Sequence, residues 1–303
     1  MAGTVDPQLT WDVLNDVRQL FEFPFMVNAY RAGTAVAVVA GCIGWFMVLR
    51  RQTFAGHTLA LVGFPGAAGA VLVGVSASVG FFAFCVVAAL VIAVLPFRAG
   101  GASAQESAVI GTVQAFGLGA GFLFVSLYHG NLGAVNALLF GSVLGITQAQ
   151  VAAVVVAGVA TVAVLAVIAR PLLFASIDPD VAAARGVRVG LLSTGFLVLL
   201  GVAAAETSQI TGSLLVFALL VLPAATAQAL TTRPAASIVL TVAIGLGVTW
   251  LGLAMAYYSP YPIGFWITTL AFGAYVAARA VTSAVGRRRG PRIVAPVHGR
   301  ASA

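Results

Sequence analysis

Long apolar runs separated by short polar turns set the pattern of the chain. Segments 27–49, 108–127, 150–168, 189–205, 212–230, 238–257 and 263–281 each approach the length of about 20 residues that a helix needs to cross a hydrocarbon core. The stretch 55–96 is too long for one crossing and predicts two, with a turn near 76–80. The pattern therefore predicts an all-α polytopic membrane protein of about nine transmembrane helices, within a range of eight to ten. Segment 132–146 is punctuated by glycine and short for a crossing, so it reads as a re-entrant or interfacial piece. In residues 1–25, Trp11, Leu14, Val17 and Leu20 recur at helical spacing and predict an amphipathic helix lying at the interface. That segment has no basic n-region or small-residue cleavage site, so it does not read as a signal peptide. The organisation is an interfacial segment 1–25, a transmembrane domain 26–283 and a basic tail 284–303.

Composition removes the other classes. Of 303 residues, 61% are hydrophobic and 8% charged, with a mean hydropathy of +1.08; a soluble domain carries about 25% charged residues. The 15 basic residues are all Arg. Without Lys there is no P-loop ATPase and no Schiff-base chemistry in this chain. Cys42 and Cys85 sit inside apolar runs and read as small core residues. The net charge of +7 needs no nucleic acid to explain it, because the arginines cluster at the ends of apolar runs. With Arg50, Arg51, Arg98, Arg170, Arg185, Arg188, Arg233 and the tail on one side, the positive-inside rule puts the C-terminus in the cytoplasm and the N-terminus outside. Arg31 departs from that pattern.

Groups able to do chemistry are sparse, and no catalytic constellation can be assembled, so the chain is not expected to be an enzyme. Three stretches stand out. In the loop after 168, Asp178 has the character of an N-cap, Pro179 fits the first helical position and Gly186 fits a C-terminal stop. This predicts a short helix over 181–185, either a plain connector or a rigid plug for a partner's groove. In a span, His57 precedes the Pro65-Gly66 pair, whose effect on the helix needs a neighbour or a cavity to satisfy the freed carbonyl. An ionisable group there is either a pathway contact or a structural His bonded to another helix. The run 212–227 carries Gly212 and Pro223 among small residues, a pattern of helix packing. Glu206 and His129 fall in turns on the predicted outer side, where they could receive an ion.

These stretches, in order, resemble the permease subunits of ABC importers for zinc, manganese and iron ions. The resemblance is collinear from about Phe25 to Val281. It runs through Arg50-Arg51, Gly56…Pro65-Gly66, Glu106…Ile110-Gly111 and Leu139-Phe140-Gly141. It continues through Asp178-Pro179-Asp180…Ala183-Ala184-Arg185-Gly186-Val187, Gly212-Ser213…Pro223-Ala224-Ala225-Thr226 and Pro262-Ile263-Gly264. It implies the helical fold of metal-chelate and cobalamin importers, in the plasma membrane, with no permanently bound cofactor. It also implies a second permease copy or a paralogous one, a cytoplasmic ATPase dimer that binds ATP, an extracellular metal-binding protein, and surrounding lipid. The 178–187 helix corresponds to the family's coupling helix. Zinc or manganese is the expected cargo, with iron next. The family usually has an Asp after the Gly at 56 and a His four residues on, a pair suited to Mn²⁺ or Zn²⁺; here those positions hold His57 and Leu61. A permease for iron chelates or cobalamin, or an ATP-independent secondary transporter or channel, is the competing expectation.

Overall fold

The computed structural model describes residues 13–95, 103–130, 133 and 145–288. Trp11, Arg98, Leu139-Phe140-Gly141 with most of segment 132–146, and the tail beyond 288 with His298 lie outside the described residues, as does the side chain of Glu106. The helices are α1 (Val13–Glu22), α2 (Pro24–Leu49), α3 (Thr53–Leu72), α4 (Ala77–Val94), α5 (Ser103–Leu127), α6 (Gln148–Ile177), α7 (Pro179–Ala184), α8 (Val189–Thr211), α9 (Ser213–Leu230), α10 (Pro234–Tyr257) and α11 (Ile263–Arg288). Among the described residues, eight of these are long and apolar enough to cross a membrane, and Val216–Leu230 within α9 is a shorter apolar helix. The fold is all-helical, as the hydropathy pattern predicts.

Three boundaries differ from the sequence pattern. The turn between α3 and α4 lies before 76, because Gly74 supplies a φ of 80° and Ser76 caps α4 by accepting a hydrogen bond from the Val79 amide at 3.4 Å. Gly80 is therefore inside α4. Segment 150–168 continues as helix through Pro171 to Ile177; a proline removes one intrahelical bond but does not oblige the chain to leave the helix. The expected polar turn at Glu206-Thr207-Ser208 is helical and fully buried, and the break comes instead at Gly212, with φ 77° and ψ 149°. That backbone region is essentially restricted to glycine, so α8 and α9 are joined by a single residue.

α2 is the hub. It packs against α10, α6, α9 and α8. Small residues bring the backbones together: a Cβ on Gly44 would lie 2.0 Å from the Leu220 carbonyl oxygen of α9, and one on Gly66 would lie 2.3 Å from the Gly80 carbonyl of α4. Pro65 leaves α3 continuous, and Pro223 leaves α9 continuous. The main core gathers Ile43, Leu59, Phe196, Leu200 and Leu220, and a second cluster forms around Phe81, Cys85 and Ala205. Polar ties fix the rotation of α2: Trp45 Nε1 donates to Ser237 Oγ at 2.9 Å, and Gln228 Nε2 donates to the Trp45 carbonyl at 2.9 Å.

Gly44→Ala has no room for its methyl without moving α9, and should cost about 1–3 kcal/mol or more. Gly111→Ala meets nothing within 4 Å and should be neutral or gain up to about 1 kcal/mol from helix propensity. Thermal unfolding of the two variants in detergent checks the contrast.

Candidate functional site

The corner between α2 and α3 organises the site. It is closed by Arg50 to Gln52, with Arg51 at φ 58° and the Gln52 amide donating to the Met47 carbonyl at 2.9 Å. Gly56 then lets α3 lie against Met47, whose sulfur is 2.3 Å from where a Cβ would stand. His57 follows, half-buried, with its ring edge-on to Phe217 of α9 at 5.0 Å between centroids. Thr58 is fully buried and hydrogen-bonded to Gln114 of α5 through an Oγ1–Oε1 contact of 2.9 Å. His57 thus stands where α3 meets α9, with α5 on the other flank. Leu61, one turn on, offers no second ligand. Among the described residues no group of three or more His, Cys, Asp or Glu side chains is placed to hold a metal.

The other two expected pathway residues are elsewhere. His129 is exposed after α5, with Nδ1 3.1 Å from the Leu127 carbonyl. Glu206 is not in a turn, as the sequence suggested, but inside α8 and fully buried. Both its carboxylate oxygens lack a hydrogen-bond partner among the described residues. Oε1 lies against α6: a Cβ on Gly158 would stand 2.7 Å from it, and 2.9 Å from Val39 of α2. His57, Glu206 and His129 therefore face different neighbours and do not converge.

At the end of the bundle marked by Arg50, the loop between α6 and α8 carries the predicted short helix as α7. Asp178 caps it by accepting from the Val181 amide at 3.0 Å, and Pro179 occupies its first turn. The chain leaves it through Gly186 at φ 85°, whose amide donates to the Ala183 carbonyl at 2.9 Å, while the Val187 amide donates to the Ala182 carbonyl at 3.0 Å. The helix runs from Pro179 to Ala184 with Asp178 as its cap, the start that the sequence pattern of cap and proline marks. Ala182 is fully buried and anchors it. Pro179, Asp180, Val181, Ala183, Ala184 and Arg185 are exposed.

Arg50 is the residue whose role the sequence did not reveal. It donates from Nη1 to Ser176 of α6 at 3.1 Å, from Nη2 to Ser193 of α8 at 2.7 Å, and from Nε to Gln52 at 3.2 Å. Its guanidinium also lies over the Phe196 ring, 5.6 Å from the centroid. One side chain thus ties both helices that flank α7 to the corner that begins α3. Its partners are 126 and 143 residues away in sequence, and two isolated serines beside a loop give no signal that would find them.

Comparison with known proteins places this geometry. A family described as the ABC 3 transport family matches residues 22–282. The manganese import system permease protein ScaB of Streptococcus gordonii is 27% identical over 241 residues, covering 80% of this chain and 85% of the relative. The chelated iron transport system membrane protein YfeC of Yersinia pestis is 28% identical over 252 residues, covering 83% and 84%. Among solved structures, PsaBC from Streptococcus pneumoniae in complex with Fab superimposes with a TM-score of 0.77 at 24% identity, covering 88% of this chain and 95% of that one. A metal-chelate type ABC transporter in an inward-facing conformation superimposes with a TM-score of 0.69 at 16% identity, covering 91% and 92%.

The contact between Glu206 and Gly158 has a measurable signature. Gly158→Ala should destabilise by about 1–3 kcal/mol, because both the Glu206 carboxylate and Val39 must move to admit the methyl. Combined with Glu206→Ala the cost should fall, giving a coupling energy of at least about 0.5 kcal/mol in a double-mutant cycle. Strict additivity in thermal unfolding would show that the two do not touch.

Proposed function

The chain belongs to the ABC 3 transport family, and we propose that it is the permease of an importer that moves a divalent transition-metal ion, zinc, manganese or iron, into the cytoplasm. Relatives named for manganese import and chelated-iron transport support the cargo class. The chain is a multi-pass membrane protein, and permeases of this kind work with ATPase and substrate-binding partners. ATP hydrolysis belongs to separate cytoplasmic subunits in this reading.

The observation that carries the proposal is α7, a capped, exposed helix with a single buried anchor, set between two spans. Such a piece is rigid enough to transmit force and open enough to seat in a partner's groove. Arg50, Arg51, Arg185, Arg188 and Arg233 fall at this same end, which supports its cytoplasmic placement and that of the C-terminus. Movement of an ATPase against α7 would shift the ends of α6 and α8. Arg50 would carry that shift to the start of α3 and so to His57.

A second copy, or a similar permease, would complete the pathway. α5, α3, α9 and α11 lie side by side in that order of contact. The outer two present exposed apolar residues, Phe116 at 75% and Phe122 at 70% on α5, and Phe265 at 50% and Phe272 at 58% on α11. A two-fold partner on this face would bring two His57 side chains toward a common axis. Imidazole is a borderline ligand suited to Zn²⁺ and other transition ions rather than to Ca²⁺ or Mg²⁺. With Leu61 in place of a second ligand, His57 would touch the ion in passing. The same lack of ligands favours one other reading, a metal chelate as cargo; uptake of free Mn²⁺ or Zn²⁺ compared with chelated iron separates the two.

The docking role is tested by Ala183→Glu combined with Arg185→Glu. Membrane abundance should be unchanged, while metal uptake falls at least about tenfold and ATP hydrolysis no longer responds to the cargo. A double variant that copurifies with its ATPase and transports normally would refute α7 as the coupling element. For the pathway role, His57→Gln retains a hydrogen-bonding group but not imidazole coordination. Uptake should fall by roughly an order of magnitude at equal abundance; unchanged uptake and metal preference would leave His57 as a packing residue against Phe217.

A further inference from the structure

Arg31 is the charge that the positive-inside pattern leaves over. It lies seven residues into α2, about 10 Å from the start of that helix at 1.5 Å per residue. It belongs to a candidate membrane span and is exposed, and it has no ion pair or hydrogen bond among the described residues. A guanidinium in a span is held only where it finds a counter-charge or reaches the interface.

The surroundings of Arg31 are built for an amphiphile. Two apolar troughs meet at it, sharing Arg31, Thr34 and Val155 in their walls. One, of about 530 Å³, runs between α2 and α6 along Val38, Val159 and Val162. The other, of about 900 Å³, lies between α1, α2, α6 and α10 along Phe21, Val27, Trp250 and Leu251, at the level of Arg31 and toward the start of α2. Their outer walls are open to the bilayer, with Val159 exposed by 66% and Leu251 by 58%. A polar seam holds the rim beside the cation. Trp250 Nε1 donates to Thr34 Oγ1 at 3.0 Å, Thr34 Oγ1 donates to the Tyr30 carbonyl at 2.7 Å, and the Tyr30 hydroxyl donates to the Trp250 carbonyl at 3.2 Å. The three hydrogen bonds fix the indole and the start of α2 without engaging the guanidinium. Tyr and Trp are the residues that sit at headgroup level.

We propose that this junction is a binding site for an anionic phospholipid of the surrounding bilayer, its phosphate on Arg31 and an acyl chain in the trough that runs deeper between α2 and α6. The inference depends on the chain crossing a membrane and not on the identity of the transported ion. Charge complementarity selects the occupant. Arg presents a planar fork that matches phosphate oxygens bidentately, and the trough that leads from this cation deeper between α2 and α6 fits an acyl chain leading from the same headgroup. Free phosphate would use the cation but not the troughs. The acidic N-terminal segment, with Asp6 and Asp12, and a second protein copy are the occupants the experiment separates from lipid.

The test uses the purified full-length chain in mild detergent, with phosphatidylglycerol or phosphatidylcholine added at equal ratios and retained lipid counted by native mass spectrometry. The wild type should retain at least fivefold more phosphatidylglycerol and gain thermal stability from it. Arg31→Gln should abolish the preference and Arg31→Lys should weaken it, while Arg279→Gln, an exposed arginine on α11, should leave it intact. Val159→Trp, which fills the deeper trough and leaves Arg31 in place, should lower retention of the lipid and gives a second reading should Arg31→Gln fail to fold. The proposal is overturned if folded Arg31→Gln keeps the preference. It is overturned equally if inorganic phosphate displaces the lipid at matched concentration, if the preference arises only after deletion of residues 1–12, or if occupancy follows dimer formation instead of added lipid.

Discussion

The contact on which the bundle depends is the one between Gly44 of α2 and the Leu220 carbonyl of α9. Inside a bilayer apolar side chains gain nothing by leaving lipid for protein, so helices associate through close van der Waals contact and a few hydrogen bonds. A glycine that lets two backbones touch is the strongest form of that contact. Gly66 and Gly80 repeat the device where α3 crosses α4. Because α9 is seated on α2 and α3 begins from the end of α2, the meeting of Phe217 with His57 follows from the packing of α2. No affinity between the two rings is needed to produce it.

Arg50 extends this rigid centre to the working end. In an apolar setting a guanidinium must find acceptors, and here it finds three side-chain oxygens on two other helices and its own corner. Ser176 itself is bonded to the Leu172 carbonyl at 2.5 Å, so the arginine pulls on a residue already fixed to its helix. The loop that carries α7 therefore hangs between two anchored ends. A short helix held in that way moves with α6 and α8 and cannot swing independently, which is the property a coupling element requires.

Most of the architecture was legible because the bilayer imposes a length that apolar runs must meet, and because caps are local. Asp178, Pro179 and Gly186 act on their own backbone neighbours, so the short helix could be read from ten residues. The misreadings share a cause. Glu206-Thr207-Ser208 looked like a turn because polar residues usually mark one, yet Thr207 satisfies its hydroxyl on the Ala203 carbonyl at 2.7 Å within its own helix, and helical backbone needs no water. The true break, Gly212, depends on a positive φ that the sequence does not display. Arg170-Pro171 looked like an end, but the helix runs on to Ile177 and delivers Ser176 to Arg50. Arg50 was visible as a charge at a boundary, while its partners are defined only in three dimensions.

Glu206 and His57 show two ways a membrane protein can carry an ionisable group. Glu206 is fully buried against Gly158 of α6, and its carboxylate has no hydrogen-bond partner among the described residues. That burial argues against its meeting a hydrated ion, whatever its charge suggests from sequence. His57 is half-buried on the face that two exposed apolar helices flank, and the imidazole reaches no hydrogen-bond partner among the described residues. A transporter must bind its cargo well enough to select it and weakly enough to release it. One imidazole per chain, with Leu61 where a second ligand would stand, lies toward the weak side of that balance. On the proposed reading, selection would rest on the protein that delivers the ion and on the pairing of two permease chains, while His57 would supply a brief contact along the way.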